Sequence, residues 1–224
     1  MAVEKSLQHE NIKLILEVGS GISPVMTVTR DIIYSDLSFA AIRLLKHSCG
    51  KGYYVVADGI NLPFKSEAFS HTISSEVLEH LKDDQKAIKE LARVTEPSGK
   101  FILTFPHKKS YFANDDRFVN YFRRYELSEM KDRLKEAGFR PINIHKVLGP
   151  LEKITMSFVV YCFSLIQRIK SDKITKTNTT SGLMNIFGQF FKWANRFYML
   201  PVWIDAKIMP RSLSAVLLIK VEKN

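Results

Sequence analysis

The sequence predicts an α/β fold: a seven-stranded, mostly parallel sheet with helices on both faces and a helical insert before the last strand. Short apolar segments of strand length alternate with segments whose apolar residues recur at helical spacing, which is the pattern of successive βαβ units. A glycine-rich loop at 19–21 directly follows the first apolar segment. Three carboxylates, Glu17, Asp36 and Asp58, stand at the ends of successive strands, where an open parallel sheet forms a ligand-binding crevice.

The first half of the chain supplies most of the predicted strands. We expect them at 13–18, 31–34, 53–57, 71–74 and 100–105. A helix over 39–47 begins after Ser38, which suits an N-cap, and Gly50 follows its end. A second helix, over 83–94, has apolar residues on one face and charged residues on the other. Residues 1–12 have room for at most one or two turns of helix.

The second half begins with a segment, 107–125, that is rich in aromatic and charged residues and shows no clean periodicity. A helix over 127–137 stops at Gly138, and the last two strands are expected at 139–147 and 213–221. Residues 149–211 interrupt these two neighbouring strands. The sequence therefore divides into one domain, formed by 1–148 plus 212–224, and a helical, aromatic and basic insert at 149–211.

Charge is distributed unevenly along the chain, whose formal net charge is +10. Residues 1–105 hold 12 Lys and Arg against 13 Asp and Glu, whereas residues 106–224 hold 21 against 10. This asymmetry favours an anionic surface or substrate for the second half, and a solvated lysine-rich surface is the equal alternative. Two cysteines, an N-terminus without an apolar core and the absence of a metal-ligand pattern predict a cytoplasmic protein without disulfides or a metal site.

Six pieces of sequence, in order, resemble the class I S-adenosylmethionine-dependent methyltransferases, of the small-molecule type related to the ubiquinone and menaquinone biosynthesis enzymes. The resemblance covers 13–148, with 212–222 as the final strand, and implies a Rossmann-like fold with S-adenosylmethionine as cofactor. The pieces are Leu-Glu-Val-Gly-Ser-Gly at 16–21, Ser-Asp-Leu-Ser at 35–38, Ala-Asp-Gly-Ile-Asn-Leu-Pro-Phe at 57–64, Ser-Glu-Val-Leu-Glu-His-Leu at 75–81, Glu-Leu-Ala-Arg-Val at 90–94 with Pro-Ser-Gly-Lys at 97–100, and 123–139, which opens Arg-Arg-Tyr-Glu-Leu-Ser-Glu-Met and closes Glu-Ala-Gly-Phe.

The resemblance implies a binding role for the first strand, its loop and the second strand. Glu17 and the loop backbone would hold the methionine moiety of the cofactor, the loop residues being Gly19, Ser20 and Gly21. Asp36 would accept hydrogen bonds from the ribose hydroxyls, a role that its place at a strand end also suggests. Leu37 would pack beside the adenine.

The third and fourth strands complete the implied cofactor site. The adenine edge would be bound by Asp58, Gly59 and Ile60. Ser75 and Glu76, just past the fourth strand, would lie near the amino acid end of the cofactor. For these last two residues, capping of the following helix is an equal alternative.

The implied reaction is in-line transfer of a sulfonium methyl group to a nucleophile. Because the positive sulfur is already a good leaving group, positioning and desolvation can supply much of the catalysis without a base. If a base takes part, His107 is the first candidate, because it follows the fifth strand and histidine is the residue type most suited to proton transfer at neutral pH. His80 is the second candidate, and a structural role is the alternative for both histidines.

The chain departs from the family pattern around the substrate. Ile22-Ser23-Pro24 follows the glycine loop, so the first crossover helix should be abbreviated or irregular, and the N-terminal helices that often cap the substrate are nearly missing. Either 107–125 or 149–211 must then cover the site. Aromatic residues among Lys and Arg in the insert favour a membrane-interface or lipid-binding cover through 151–210, and a packed helical hairpin or a homodimer interface is the alternative.

Several functions stay open on the sequence alone. The first is methyl transfer to a small molecule, lipid-linked or a saccharide. The basic second half favours a nucleic-acid methyltransferase, although no Asn-Pro-Pro-Tyr motif follows the fourth strand, and a non-catalytic binding protein would also keep the fold. An NAD dehydrogenase would explain the glycine loop, but Pro24, Asp58 and the sequence at 75–81 argue against it.

Overall fold

The computed structural model describes residues 2–7, 10–27, 29, 31–171, 200–202 and 204–224. Within these ranges the chain forms one seven-stranded sheet with helices on both faces. The strands are β1 Ile15–Val18, β2 Ile32–Asp36, β3 Tyr53–Val56, β4 Phe69–Ser75, β5 Thr95–Pro106, β6 Phe139–Leu148 and β7 Val216–Lys223. The helices are α1 Ala2–Leu7, α2 Phe39–Cys49, α3 Asp84–Val94, α4 Asn114–Phe118, α5 Leu127–Glu136 and α6 Pro150–Ser171.

The strand order across the sheet is β3-β2-β1-β4-β5-β7-β6. Strands β1 to β5 run parallel, and β7 lies antiparallel between β5 and β6. The order reverses between β1 and β4, where Ile15 pairs with Ile32 on one side and His71 on the other. A crevice therefore opens at the carboxyl ends of β1 and β4, and the predicted mostly parallel sheet is confirmed.

Alternating side chains of the central strands are buried on both faces of the sheet. Leu16, Phe101 and Leu103 join one core cluster, with α3 and α5 packed over it. Ile15 and Ile102, each one residue away, join the other cluster, with α1 and α2 over it. Burial on both faces explains why these strands read as continuous apolar runs in the sequence.

Local signals set the helix boundaries close to their predicted places. The Ser38 side chain accepts from the backbone N–H of Ala41 at 3.2 Å, and Gly50 ends α2 with a φ of 64°. Asp83, predicted as the first residue of the next helix, is instead its N-cap. The fifth strand, predicted to begin at residue 100, already begins at Thr95, and its pairing with β4 contains an irregularity between Thr95 and Lys100.

The connections at the two ends of the sheet differ. Between β1 and β2 the described residues contain no helix, as expected from the short spacing after Gly21. On the other side, β6 leads through Gly149 directly into α6. None of the described helices is both long enough and apolar enough to cross a bilayer. Most of the predicted insert lies outside the described residues, so the division at 149–211 stays a prediction.

Candidate active site

A cavity of about 400 Å³ opens at the carboxyl ends of β1, β2 and β4. We call it the first cavity. It brings together six residues that the sequence predicts as cofactor ligands: Gly19, Asp36, Leu37, Asp58, Gly59 and Glu76. The topology explains this convergence, because each of these residues follows a parallel strand and the strand ends share one edge.

Gly19 lets the loop after β1 lie against the segment after β4. Its φ is 73°, and a Cβ at this position would lie 2.2 Å from Cγ2 of Val77. Its N–H donates to the carbonyl of Ser35 at 2.8 Å, which ties the loop to β2. Any side chain at Gly19 would therefore push the loop away from Val77 and open the floor of the cavity.

Asp36 is held in a fixed orientation by the backbone. Its Oδ2 accepts from the N–H of Gly21 at 2.9 Å and its Oδ1 from the N–H of Ser38 at 2.8 Å. Each carboxylate oxygen keeps a lone pair for a further donor, as a vicinal diol would supply. Leu37 beside it is 70% exposed, an apolar surface that a flat base would cover.

Asp58 sits in a tight turn at the other wall. Its Oδ1 accepts from the N–H of Ile60 at 3.1 Å, and its carbonyl accepts from the N–H of Asn61 at 2.9 Å. Ile60 therefore orients Asp58 through its backbone and is not among the described residues that line the cavity. The second oxygen of Asp58 stays available to an exocyclic amine.

The charge of the first cavity fits the expected cofactor. Its described lining includes the carboxylates of Asp36, Asp58 and Glu76 and no Lys or Arg. S-adenosylmethionine carries a sulfonium and an ammonium group against one carboxylate, so its excess charge is positive and complements this lining. A dinucleotide would instead bring two phosphates among three carboxylates, which disfavours the NAD alternative.

Glu17 holds the loop instead of facing the first cavity. It is 2% exposed, and its two oxygens accept from the N–H groups of Val25 at 2.8 Å and Met26 at 3.2 Å. Burial raises its pKa to about 7, although the two backbone donors lower it. A direct contact with the methionine moiety stays a prediction, and the geometry supports a positioning role.

Ser20 and Gly21 also act through the loop in this structure. Ser20 is 3% exposed, its N–H donates to the carbonyl of Ser35 at 3.1 Å, and its Oγ is buried without a hydrogen-bond partner among the described residues. Gly21 contributes the N–H that orients Asp36. Neither is among the described residues that line the first cavity, so binding of the methionine moiety by these two residues stays a prediction.

A second cavity, of about 510 Å³, lies next to the first, and Glu76 lines both. Ser75 also lines the second cavity, and its Oγ lies 2.7 Å from Oγ1 of Thr104 in β5. The turn of helix at Leu78–His80 has no side-chain N-cap. The alternative role expected for Ser75 and Glu76, capping of this helical turn, is therefore filled by neither side chain.

Glu76 occupies an unusual backbone conformation at the junction of the cavities, with a φ of 54°. Its Oε2 accepts from the hydroxyl of Tyr121 at 3.2 Å, and its Oε1 is buried without a hydrogen-bond partner among the described residues. Burial raises its pKa to about 7, opposed by the nearby hydroxyls of Tyr121 and Thr104. The pKa of buried Glu79 nearby is raised well above its ordinary value by burial and by Glu76.

The two histidines proposed as bases have different positions. His80 lines the first cavity, and its ring meets the ring of Tyr121 edge to face with centroids 4.9 Å apart. Burial lowers the pKa of His80, which favours its neutral form. His107 is only 5% exposed and its Nδ1 lies 2.9 Å from the carbonyl of Ser214. It does not line the described cavities, so the geometry favours a structural role and a catalytic role stays a prediction.

Sequence reasoning missed the partners that orient Glu76. Tyr121 belongs to the aromatic segment that was expected to cover the site, but nothing in its spacing marks it as the residue that contacts Glu76. Thr104 lies within the continuous buried run of β5 and resembles an ordinary strand residue. The sequence alone does not show that Thr104 lies beside the residues at the end of β4. This follows only from the register of β4 and β5, which pairs Ser75 with Thr104.

Comparisons with known proteins agree with this geometry. Residues 16–103 match the family model described as a methyltransferase domain. A probable S-adenosylmethionine-dependent methyltransferase of Mycobacterium tuberculosis is 26% identical over 123 residues, which cover 54% of this chain and 45% of that protein. A probable tRNA methyltransferase 9B of Bos taurus is 29% identical over 132 residues, which cover 56% of this chain and 28% of that protein.

A solved structure is similar in fold as well. The structure of phosphoethanolamine N-methyltransferase 2 of Haemonchus contortus, solved in complex with S-adenosyl-L-methionine, has a TM-score of 0.60 and 18% identity, and the match covers 99% of this chain and 51% of that one. The chain spans about half the length, or less, of the curated relatives named above. The family model over residues 16–103, the strand order and the carboxylate-lined cavity together support a class I S-adenosylmethionine-dependent methyltransferase fold and cofactor for this part of the chain.

Proposed function

We propose that the protein transfers the methyl group of S-adenosylmethionine to a small-molecule acceptor bound in the second cavity. The observation that carries this proposal is that the two cavities share Glu76. A donor in one and an acceptor in the other would meet at the end of β4. Both volumes are within the range of small-molecule sites.

In this mechanism the chain acts mainly by positioning. Asp36 would accept hydrogen bonds from the ribose hydroxyls and Asp58 one from the adenine amine, and Gly19 admits the cofactor close to the backbone. The bound cofactor supplies an electrophilic methyl group on a positively charged sulfur. The segment around Tyr121 shields the junction from water, which favours transfer between aligned groups.

Calorimetry with S-adenosylmethionine tests the proposal directly. We expect the intact protein to bind it and Asp36→Ala to bind at least roughly tenfold more weakly, because a fixed charged acceptor is lost. Asp83→Ala is the matched control: Asp83 also accepts a backbone N–H, from Lys86 at 3.0 Å, but as the N-cap of α3. Absence of binding by the intact protein would overturn the proposal and favour a non-catalytic role.

A nucleic-acid methyltransferase is the second candidate. The basic second half of the chain favours it, as does the similarity to a tRNA methyltransferase. A gel-shift titration with tRNA at several salt concentrations tests it. Specific binding that persists at physiological salt would support it, whereas binding lost between 50 and 200 mM salt would indicate nonspecific attraction to phosphates.

We also propose that residues 151–210 contact a membrane surface. Ile154, Phe158 and Tyr161, spaced along the described part of α6, are each more than 60% exposed. Aromatic and aliphatic side chains at this spacing, together with nine Lys and Arg in 149–211, suit a helix lying in a lipid headgroup layer. A second copy of the chain on the same face would instead produce a homodimer, which a mass measurement in solution distinguishes.

A further inference from the structure

We propose that the second cavity selects an amine as the methyl acceptor and that Glu76 is the catalytic residue that binds the amine nitrogen and takes its proton. The inference rests on the proposed methyltransferase function and adds the chemical class of the acceptor. Two observations support the inference. They are the residues that line the second cavity and a buried oxygen of Glu76 that has no hydrogen-bond partner among the described residues.

The walls of the second cavity are mostly apolar. Val25, Val147, Leu148 and Val216 line it together with the aliphatic ring of Pro24. Three of its polar residues, Ser75, Glu76 and Thr104, lie near the ends of β4 and β5, and Glu4 and Thr27 line it elsewhere. Such a site accommodates a molecule with an apolar body and one polar end that points toward the strand ends.

The charge of this lining excludes an anionic acceptor. Among the described residues that line the cavity, the charged side chains are Glu4 and Glu76, and none is Lys or Arg. A phosphate or carboxylate on the acceptor would enter a partly desolvated site beside the carboxylate of Glu76. An ammonium group would be attracted to the same site. The chain as a whole is basic, but the described lining of the cavity in which we place the acceptor contains no basic side chain.

Within this cavity Glu76 has the one carboxylate oxygen that is buried and lacks a partner among the described residues. Its Oε2 is engaged by Tyr121 at 3.2 Å, while the hydroxyls of Ser75 and Thr104 lie 2.7 Å from each other. Oε1 is therefore a buried acceptor without a donor among the described residues, on a side chain that lines both cavities. A buried carboxylate oxygen without a donor is costly, and an incoming N–H would satisfy it.

The backbone also fixes this carboxylate in place. Glu76 has a φ of 54°, which is uncommon for a residue other than glycine, and its N–H donates to the carbonyl of Thr104 at 3.2 Å. Residues held in such conformations cluster at functional sites. The conformation turns the chain directly after β4, so that one side chain borders the donor cavity and the acceptor cavity together.

The chemical step balances with these groups alone. The acceptor enters as an ammonium group, which loses one proton to the carboxylate of Glu76 and thereby regains the lone pair of the neutral amine. That pair forms the new nitrogen–carbon bond to the donor's methyl group as the carbon–sulfur bond breaks, and the electrons of the broken bond stay on sulfur, which becomes neutral. The nitrogen of the methylated product carries the positive charge that the sulfur has lost. A carboxyl whose pKa is raised to about 7 can accept and release this proton near neutral pH.

A panel of three probes of similar shape tests the inference by binding, without turnover. The probes are 2-phenylethylamine, 2-phenylethanol and 3-phenylpropanoate, measured by ligand-observed NMR at pH 8 with S-adenosylhomocysteine present. We expect the amine to bind roughly tenfold or more tightly than the carboxylate, with the alcohol between them. Equal or tighter binding of the carboxylate would overturn the inference, and this arm needs no variant.

Two variants then locate the binding. Glu76→Gln keeps the shape and removes the charge, and we expect it to lose the preference for the amine over the alcohol. Glu67→Gln is the matched control, because Glu67 also has a positive φ but does not line either cavity. Its exposed carboxylate forms an ion pair with Lys223, with 3.5 Å between Oε1 and Nζ. An unchanged preference in folded Glu76→Gln would overturn the role of Glu76.

The outcomes separate this inference from the proposed function. If the intact protein fails to bind S-adenosylmethionine, the proposed methyltransferase function fails. If it binds the cofactor but shows no preference for the amine probe, only the acceptor class fails. Thermal unfolding of Glu76→Gln establishes that it is folded before its binding is compared.

Discussion

Lys153 and Asp116 form a buried ion pair, with 2.6 Å between Nζ and Oδ2 and both side chains less than one tenth exposed. The same ammonium donates to Asp115 at 2.7 Å, and Arg124 holds the other oxygen of Asp116 at 2.7 Å. The cluster joins the first turn of α6 to α4 and to the segment that carries Tyr121. The start of the insert is thus attached next to Glu76, with a small third cavity of about 120 Å³ between them.

Lys153→Met should destabilise the protein strongly. Removing the ammonium leaves two neighbouring buried carboxylates with Arg124 as their remaining cation, and breaking a buried pair typically costs about 3–5 kcal/mol. Lys109→Met is the control, because Lys109 pairs with Glu129 at 2.8 Å but is 58% exposed, and such pairs contribute about 1 kcal/mol or less. Urea unfolding measures both; equal losses would contradict the importance of burial.

Gly19→Ala should impair cofactor binding more than stability. Its Cβ would collide with Val77 and the residue would need a positive φ, so we expect S-adenosylmethionine affinity to fall roughly tenfold or more. Gly138→Ala is the matched control, because Gly138 has a φ of 91° but open space around a Cβ. It should lower the free energy of unfolding by about 1 kcal/mol and leave the affinity unchanged. A normal affinity for Gly19→Ala would show that the loop can shift freely.

Glu17 should make the protein less stable as the pH rises from about 4.5 to 7. The unfolded chain ionises this carboxyl near its ordinary pKa, whereas the folded protein keeps it protonated until about 7. The folded state therefore binds more protons in this window, and the free energy of unfolding falls by about 3 kcal/mol for this group. Glu17→Gln should remove that part of the slope, which urea unfolding at pH 4.5 and pH 8 measures. Parallel pH dependences of the two proteins would refute it.

Tyr121→Phe should shift the pH dependence of Glu76 upward. The Tyr121 hydroxyl lowers the pKa of this carboxyl, while Arg124 also lowers it and Glu152 and burial raise it. Without the hydroxyl, the midpoint for binding of 2-phenylethylamine should rise by roughly half a pH unit or more. Tyr111→Phe removes a hydroxyl of the same segment that donates to the carbonyl of Leu213 at 3.3 Å, and its midpoint should not move. If Tyr121→Phe and the unmodified protein have the same midpoint, the Tyr121 hydroxyl does not affect the pKa of Glu76.

Deleting residues 151–210 should abolish binding to anionic liposomes. The intact protein should sediment with phosphatidylserine-containing vesicles at low salt, because exposed apolar residues of α6 and the basic charges of the insert would act together. Vesicles of phosphatidylcholine alone provide the uncharged control. If the intact protein ignores the anionic vesicles, the membrane proposal fails and a homodimer face becomes the better explanation of the same residues.

The sequence predicts the fold and the convergence of the site well, because both follow from local patterns. Apolar runs define the strands, and parallel strands bring Asp36 and Asp58 to one edge whatever the details of packing. Asp83, predicted inside a helix and found as its cap, shows the usual error of one residue at a boundary.

The roles that the sequence could not assign depend on contacts between distant residues. Glu17 has its carboxylate turned toward Val25 and Met26, and His107 is buried against Ser214 because β7 lies next to β5. Neither orientation is encoded near the residue itself. For Glu76, the proposed role depends on its positive φ and on its place between two cavities. The sequence alone shows neither feature, because a glutamate that caps a helix would stand in the same local sequence.

The antiparallel pairing of β6 with β7 places the insert at the end of a β-hairpin. Leu148 and Val216 face each other across the antiparallel ladder, and the N–H of Ala215 donates to the carbonyl of Leu148 at 2.9 Å. Everything between them is topologically the tip of a hairpin, which a turn of a few residues can also close. Lengthening such a tip costs little extra closure entropy. The length of this segment can therefore vary at little cost in closure entropy while β6 and β7 keep their register.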